Sequence, residues 1–214
     1  MRTTLAFVVF AGVAASACTS GAPSGVEQFD SVRDRMSDGP TTLLVGSAGS
    51  TGTITARRWT HDGWVEGQTP ITIENGEVLG AVNPLGNLDL RAFDVAVAPI
   101  DVPESVFGKP AQLTGVRVKL PKSVTGELVW TSDDDATGQL SLSLDLDWQI
   151  QINGNRTPLG TQHLPPVLVD FMITGGGDHI DASIDLHASG ELWSWAGLLE
   201  MTALELDLSA ATAD

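Results

Sequence analysis

Apolar and polar residues alternate one by one along most of the chain after position 40, as expected for β-strands that bury one face. The clearest stretch runs from Leu140 to Ile152, with apolar side chains on one face and mostly Ser, Asp and Gln on the other. The same alternation recurs in residues 88–98, 115–120, 179–188 and 203–210. Shorter strands are predicted in the segments TTLLVG, TITARRWT, ITIENGEVL (a hairpin turning at Asn75-Gly76), GELVWTS and VLVDFMI.

This pattern amounts to about ten strands without intervening helices, which predicts a single all-β domain with an antiparallel sheet. We expect a curved barrel or half-barrel, with a two-sheet β-sandwich as the alternative. One short helix is predicted within Gly25–Met36, where Val26, Phe29, Val32 and Met36 have helical spacing. A change of apolar face near Ala203 predicts a bulge, although a helical turn through 198–203 would also fit.

The first 17 residues have the composition of a secretory signal peptide. Arg2 is followed by an apolar run from Leu5 to Ala15, and Ala15-Ser16-Ala17 provides small residues for cleavage. The apolar run is about half of the ~20 residues that a transmembrane helix needs. We therefore expect residues 1–17 to be removed and the protein to be exported.

Cys18, the only cysteine, directly follows this cleavage site. Together with Ser16 and Ala17 it resembles the lipobox of bacterial lipoproteins, although Ala15 stands where Leu is usual. The resemblance implies a diacylglycerol on the Cys18 thiol, cleavage before it, and anchoring to the cell envelope. Thr19 after the cysteine implies the outer membrane, where the organism has one. Ordinary signal peptidase cleavage would also begin the chain at Cys18, and an unlipidated thiol could pair with another molecule.

Beyond the anchor, residues 18–25 form a tether of small polar residues, and residues 26–214 form the β domain. The whole chain carries 27 acidic and 11 basic residues, a formal net charge of −16. Such a domain is repelled by phosphate backbones and anionic head groups, which excludes nucleic acid as a partner. Membrane contact would then depend on the lipid of Cys18, and the protein partner is not identified.

Two pairs of residues are candidate binding sites. Asp185 and His187 lie two residues apart on the polar face of one strand and could supply two metal ligands, although a solvated face, where polar residues belong, is the favoured explanation. Trp193 and Trp195 share a face and could stack against a sugar or lipid ring, or else fill the sheet interior. Asp133-Asp134-Asp135 lacks the spacing of an EF-hand loop, and a charged turn explains it more simply.

The sequence contains no catalytic motif, so we predict a protein that is not an enzyme and needs no cofactor. The first functional hypothesis is binding or carriage of a lipid or acyl chain inside the β domain. The alternative is a structural or adhesive module of the cell envelope that binds a protein partner or divalent ions through its acidic surface. An open apolar cavity would distinguish carriage from the alternative.

Overall fold

A computed structural model describes residues 29–195 and 199–213, with the backbone alone at residues 105, 107, 193 and 195. The predicted signal peptide, Cys18, the tether and Val26 therefore lie outside the described residues. Within the described ranges no helix is long and apolar enough to cross a bilayer.

Residues 29–195 and 199–213 form two short helices and 15 strands. The helices are α1 (Val32–Asp38) and α2 (Glu104–Phe107). The strands are β1 (Thr41–Val45), β2 (Thr51–Thr60), β3 (Gly63–Ile71), β4 (Ile73–Val82), β5 (Leu88–Val97), β6 (Ile100–Val102), β7 (Ala111–Lys119), β8 (Val124–Gly126), β9 (Leu128–Trp130), β10 (Ala136–Leu142), β11 (Asp145–Ile152), β12 (Asn155–His163), β13 (Val167–Gly175), β14 (Ile180–Trp195) and β15 (Leu199–Ala211).

All these strands belong to one antiparallel sheet with the order β12-β11-β7-β5-β4-β1-β15-β14-β13-β10-β9. We call β12 to β4 the first limb and β15 to β9 the second limb, with β1 between them. The β2–β3 hairpin pairs with β15 through β2, whereas β6 pairs with β7 and β8 with β5. The predicted antiparallel β architecture is thus confirmed, but the count of about ten strands was too low.

The sheet folds over so that the apolar faces of its two limbs meet. Val78 and Leu90 of the first limb lie opposite Phe171 and Ile184 of the second, around a gap of about 10 Å³. Met36 of α1 also lines this gap, and all five side chains belong to one core cluster. Alternation of apolar and polar residues in the strands directs one row inward, which is why a single core forms.

We expected a curved barrel or a half-barrel, and of these the barrel is wrong, because the sheet is not closed along its hydrogen-bonded path. The two limbs are instead bridged by residues 124–130. Val124–Gly126 pairs with β5 of the first limb, and Leu128–Trp130 pairs with β10 of the second. At the junction a side chain on Gly126 would lie 2.5 Å from Leu140 Cγ. This close approach leaves no room for a larger residue at the junction.

The long alternating stretch from Leu140 to Ile152 is two strands rather than one. It breaks at Ser143-Leu144, so that β10 lies in the second limb and β11 in the first. Leu144 stays fully buried, and its carbonyl accepts a hydrogen bond from Leu164 N at 2.8 Å. Because the alternation continues through the crossing, both limbs receive their apolar residues in phase. The hydrophobic pattern therefore gave no sign of the break.

Two local expectations had opposite outcomes. The hairpin turn predicted at Asn75-Gly76 is wrong, because β4 continues through it with an irregularity between Ile73 and Asn75. The bulge predicted near Ala203 is confirmed by a shift in the register between β15 and β2 at Met201/Ala203.

Helix α1 begins at Val32 because Ser31 caps it, its Oγ accepting a hydrogen bond from Asp34 N at 3.1 Å. Val32 N donates to Asp134 Oδ1 at 3.0 Å, which ties the helix to the 131–135 turn. Arg35 Nη1 donates to the carbonyl of Asp178 at 2.7 Å, in the turn between β13 and β14. Hydrogen bonds to two turns of the second limb therefore hold the helix in place.

Candidate binding face

The outward side chains of β10, β13, β14 and β15 are mostly polar, and we call the surface that they form the acidic face. Its central row crosses the four strands and consists of Gln139, Asp170, Asp185 and Asp207. Each is directly opposite the next in the strand register. Directly opposite residues of antiparallel strands have Cβ atoms about 4.5–5.5 Å apart. Three carboxylates are therefore side by side.

Neutral donors satisfy the two ends of this row. Gln139 Nε2 donates to Asp170 Oδ1 at 2.8 Å, and Thr51 Oγ1 lies 3.5 Å from Asp207 Oδ2. In the middle, the hydrogen bond with Asp207 raises the pKa of Asp185. Partial burial and the negative charges of Asp207 and Asp170 act in the same direction, whereas His187 opposes them. The raised pKa is what adjacent carboxylates produce when Lys and Arg are missing from the strands that carry them.

The sequence explains why this row has no cation. Residues 157–214 contain no Lys or Arg, so none of β13, β14 and β15 can provide one, and β10 lacks them too. In the first limb, by contrast, carboxylates are paired with cations. Arg117 makes a two-point ion pair with Asp94 at 3.0 and 2.8 Å. Lys119 Nζ also contacts Asp147 Oδ2 at 2.6 Å and lowers the pKa of that carboxyl. The acidic face is thus unusual within this molecule.

A surface groove of about 510 Å³ lies on the acidic face. Asp170 and Asp185 line one side of it, and Val129, Thr137, Met172 and Ser183 line the other. The latter residues form a second cross-strand row, from β9 to β14, directly beside the carboxylate row. Val129 and Met172 are 58% and 51% exposed, which is high for large apolar side chains on a wet sheet face. The groove therefore combines negative charge with exposed apolar surface.

Asp185 and His187, the predicted metal ligands, each lie beside an acidic residue of β15. Asp185 shares a hydrogen bond with Asp207, and His187 lies opposite Glu205 in the register of β14 and β15. Glu205 in turn accepts a hydrogen bond from Thr53 Oγ1 at 2.9 Å. Within the described residues no group of three or more His, Cys, Asp and Glu side chains is arranged to hold a metal ion. The metal site at Asp185 and His187 stays a prediction.

The Asp133–Asp135 turn has structural roles. Asp133 lies 3.7 Å from Arg33, and Asp134 accepts the backbone N–H at the start of α1. Asp135 Oδ2 accepts a hydrogen bond from Ser132 Oγ at 2.8 Å. These contacts fit the charged turn expected from the sequence.

The backbones of Trp193 and Trp195 lie in β14, opposite Met201 and Leu199 of β15. Their side chains lie outside the described residues, so the predicted ligand site there stays a prediction.

Sequence reasoning missed an aromatic pair at the tip of the β2–β3 hairpin. Trp59 and Trp64 are directly opposite each other, with ring centroids 5.3 Å apart and planes at 73°. The Arg57 guanidinium lies 4.5 Å from the centre of the Trp64 ring and is held by Glu200 Oε2 at 2.7 Å. The two tryptophans flank a tight His61-Asp62 turn, and this symmetrical placement was the available signal.

Comparison of the chain with protein-family models, with curated proteins and with solved structures gave no match.

Proposed function

We propose that this protein is an exported, lipid-anchored and non-catalytic module of the cell envelope, which binds a protein partner through its acidic face. The lipobox-like sequence ending at Cys18 supports the anchor, at the outer membrane where the organism has one. The β domain would be displayed from that membrane by the short tether.

The observation that carries the partner hypothesis is the row Asp170–Asp185–Asp207. Like charges directly opposite each other destabilise a sheet, yet here three carboxylates are adjacent without a cation between them. Groups that lower the stability of a fold without a structural return are typical of functional surfaces. A positively charged partner would relieve this repulsion.

Carriage of a lipid or acyl chain has less support. Ligand pockets commonly have volumes of about 300–1,000 Å³, whereas the gap between the facing limbs measures about 10 Å³. We therefore favour a half-barrel whose interior is filled by its own side chains. Carriage would require the two limbs to separate, which would expose much of the core.

The anchor is tested with a Cys18→Ser variant expressed beside a Ser20→Ala control. We expect the parent and the control to sediment with membranes and to incorporate radioactive palmitate. The Cys18→Ser variant should be unlabelled and recovered in the soluble envelope fraction. Label on the variant would contradict lipidation at Cys18.

Partner binding is tested by placing a photo-crosslinking amino acid at Leu168 in intact cells. Leu168 is exposed on β13 beside Asp170, whereas Leu85 is exposed in the loop between β4 and β5 and serves as the control position. We expect a discrete adduct from position 168 that disappears in D170N/D185N/D207N. Equal adducts from positions 168 and 85 would contradict a partner at the acidic face.

A further inference from the structure

The two rows that line the groove have different chemistry, and both cross β10, β13 and β14. The carboxylate row contains Asp170 and Asp185, and the neighbouring row contains Val129 and Met172. The rows are separated by two residues along each strand, which is about 6.5–7 Å. An extended peptide directs alternate side chains to opposite sides. A segment lying between the rows would therefore present one set of side chains to each.

We propose that the groove binds an extended basic segment of the partner protein, in which Lys or Arg residues alternate with apolar residues. The cationic side chains contact Asp170, Asp185 and Asp207, and the apolar ones contact Val129 and Met172. This inference rests on the proposed partner-binding function and specifies the site and the chemistry of the partner.

The negative charge of the groove favours a basic peptide over a second copy of this chain, an anionic membrane or a nucleic acid. A second copy of this chain would bring its own acidic surface, because each copy has a formal net charge of −16. An anionic membrane surface or a nucleic acid would be repelled in the same way. A cationic peptide gains charge-assisted hydrogen bonds with carboxylates that no Lys or Arg of β13, β14 or β15 can satisfy.

The apolar surface argues against a purely ionic ligand. Val129 and Met172 are 58% and 51% exposed, and both line the groove. A small cation or polyamine would leave these side chains in water. An alternating peptide covers them and removes apolar area from solvent.

The test uses the full mature chain with Cys18→Ser, which keeps it soluble. The probe is a fluorescein-labelled 12-residue peptide of alternating Lys and Val, and the comparison probe alternates Lys and Ser. Fluorescence anisotropy at an ionic strength of about 0.15 M limits non-specific attraction between distant charges. We expect the Lys–Val peptide to bind at least about tenfold more tightly than the Lys–Ser peptide, a difference of about 1.4 kcal/mol.

Two variants with the same change of net charge locate the site. D170N/D185N/D207N should weaken binding of the Lys–Val peptide at least about tenfold. E74Q/E77Q/E104Q removes three exposed carboxylates from outside the acidic face and should change the affinity less than about twofold, because distant charges are screened. V129S/M172S should reduce binding of the Lys–Val peptide to the level of the Lys–Ser peptide.

Equal weakening by the two triple variants would overturn the inference, since it would show attraction by net charge alone. Stoichiometric heat on titration with Ca²⁺ or Zn²⁺, lost in D185N, would replace it with a metal site. Crosslinking from position 168 without binding of the Lys–Val peptide would refute the alternating chemistry but leave partner binding standing. Unchanged circular dichroism and a thermal unfolding transition no lower than that of the parent would show that lost binding is not lost folding.

Discussion

Asp185 shows how neighbouring strands determine the chemistry of a side chain. Sequence analysis placed it on a polar face with His187, but its strongest partner is Asp207, which lies 22 positions further along the chain. Asp170 approaches it from the other side, in β13. The position of Asp185 on a polar strand face was therefore predictable from the sequence. Its cross-strand neighbours were not, because they depend on a strand register that alternation alone does not specify.

Replacing Asp185 with Asn should stabilise the protein at pH 7 by about 0.2–1 kcal/mol, at the lower end because water screens this partly exposed group. The raised pKa means that the folded state binds this proton more tightly than the unfolded state. Stability of the parent should therefore fall as pH rises through the raised pKa, and the advantage of D185N should vanish below the ordinary value of 3.8. Urea unfolding between pH 3 and 7 measures both effects.

Asp147 provides the matched control, because its pKa is lowered whereas that of Asp185 is raised. Hydrogen bonds from Lys119 and Thr161 lower its pKa, so its contribution to stability is present above pH 3.8 and is lost as the pH falls through the lowered pKa. D147N should therefore destabilise the protein at pH 7. A loss of stability in D185N similar to that in D147N would show that the carboxylate row is not repulsive.

The strand β4 illustrates how a local turn signal was overridden by packing. Asn75-Gly76 favours a two-residue hairpin turn, but both residues pair with β5. A Cβ on Gly76 would lie 2.9 Å from the backbone oxygen of Asp94 and 3.1 Å from Val45 Cβ. Glycine is needed here because neighbouring strands approach closely. Strand types were thus predictable from alternation, whereas close approaches and the crossing after Leu142 depend on distant residues.

Gly76→Ala should therefore lower the free energy of unfolding by about 1–3 kcal/mol, as overpacking does elsewhere. Gly39→Ala is the control, since nothing lies within 4 Å of a Cβ at that position and its φ of 174° is ordinary extended backbone. Its effect should be small. Chemical unfolding of the two variants measures the difference, and equal effects would place Gly76 in an exposed turn.

The Trp59–Trp64 contact is expected to stabilise the β2–β3 hairpin. Edge-to-face contacts of this kind contribute about 0.5–1.5 kcal/mol beyond the burial of area. A double-mutant cycle with Trp59→Ala and Trp64→Ala should therefore give a coupling energy in that range. Additive losses in the cycle would mean that the two rings act independently, despite the 5.3 Å between their centroids.

The two limbs pack against each other and fill the interior of the sheet, which bears on where the proposed binding would take place. Leu90, Leu140, Leu144 and Ile184 are at most 1% exposed, so inward rows from both limbs are used in packing against each other. The carboxylates of Asp170, Asp185 and Asp207 lie on the outer surface of the second limb, next to exposed Val129 and Met172. Binding by this domain is therefore expected on its surface.

Native mass spectrometry of the mature Cys18→Ser chain, extracted gently from the cell envelope, tests this expectation. The interior gap of about 10 Å³ cannot hold an acyl chain, so the spectrum should show the mass of the polypeptide alone. The parent chain is the control, because its added mass should be covalent at Cys18 and survive denaturation. A lipid that copurifies with the Cys18→Ser chain and dissociates on denaturation would show that the limbs open, and would restore carriage as the leading function.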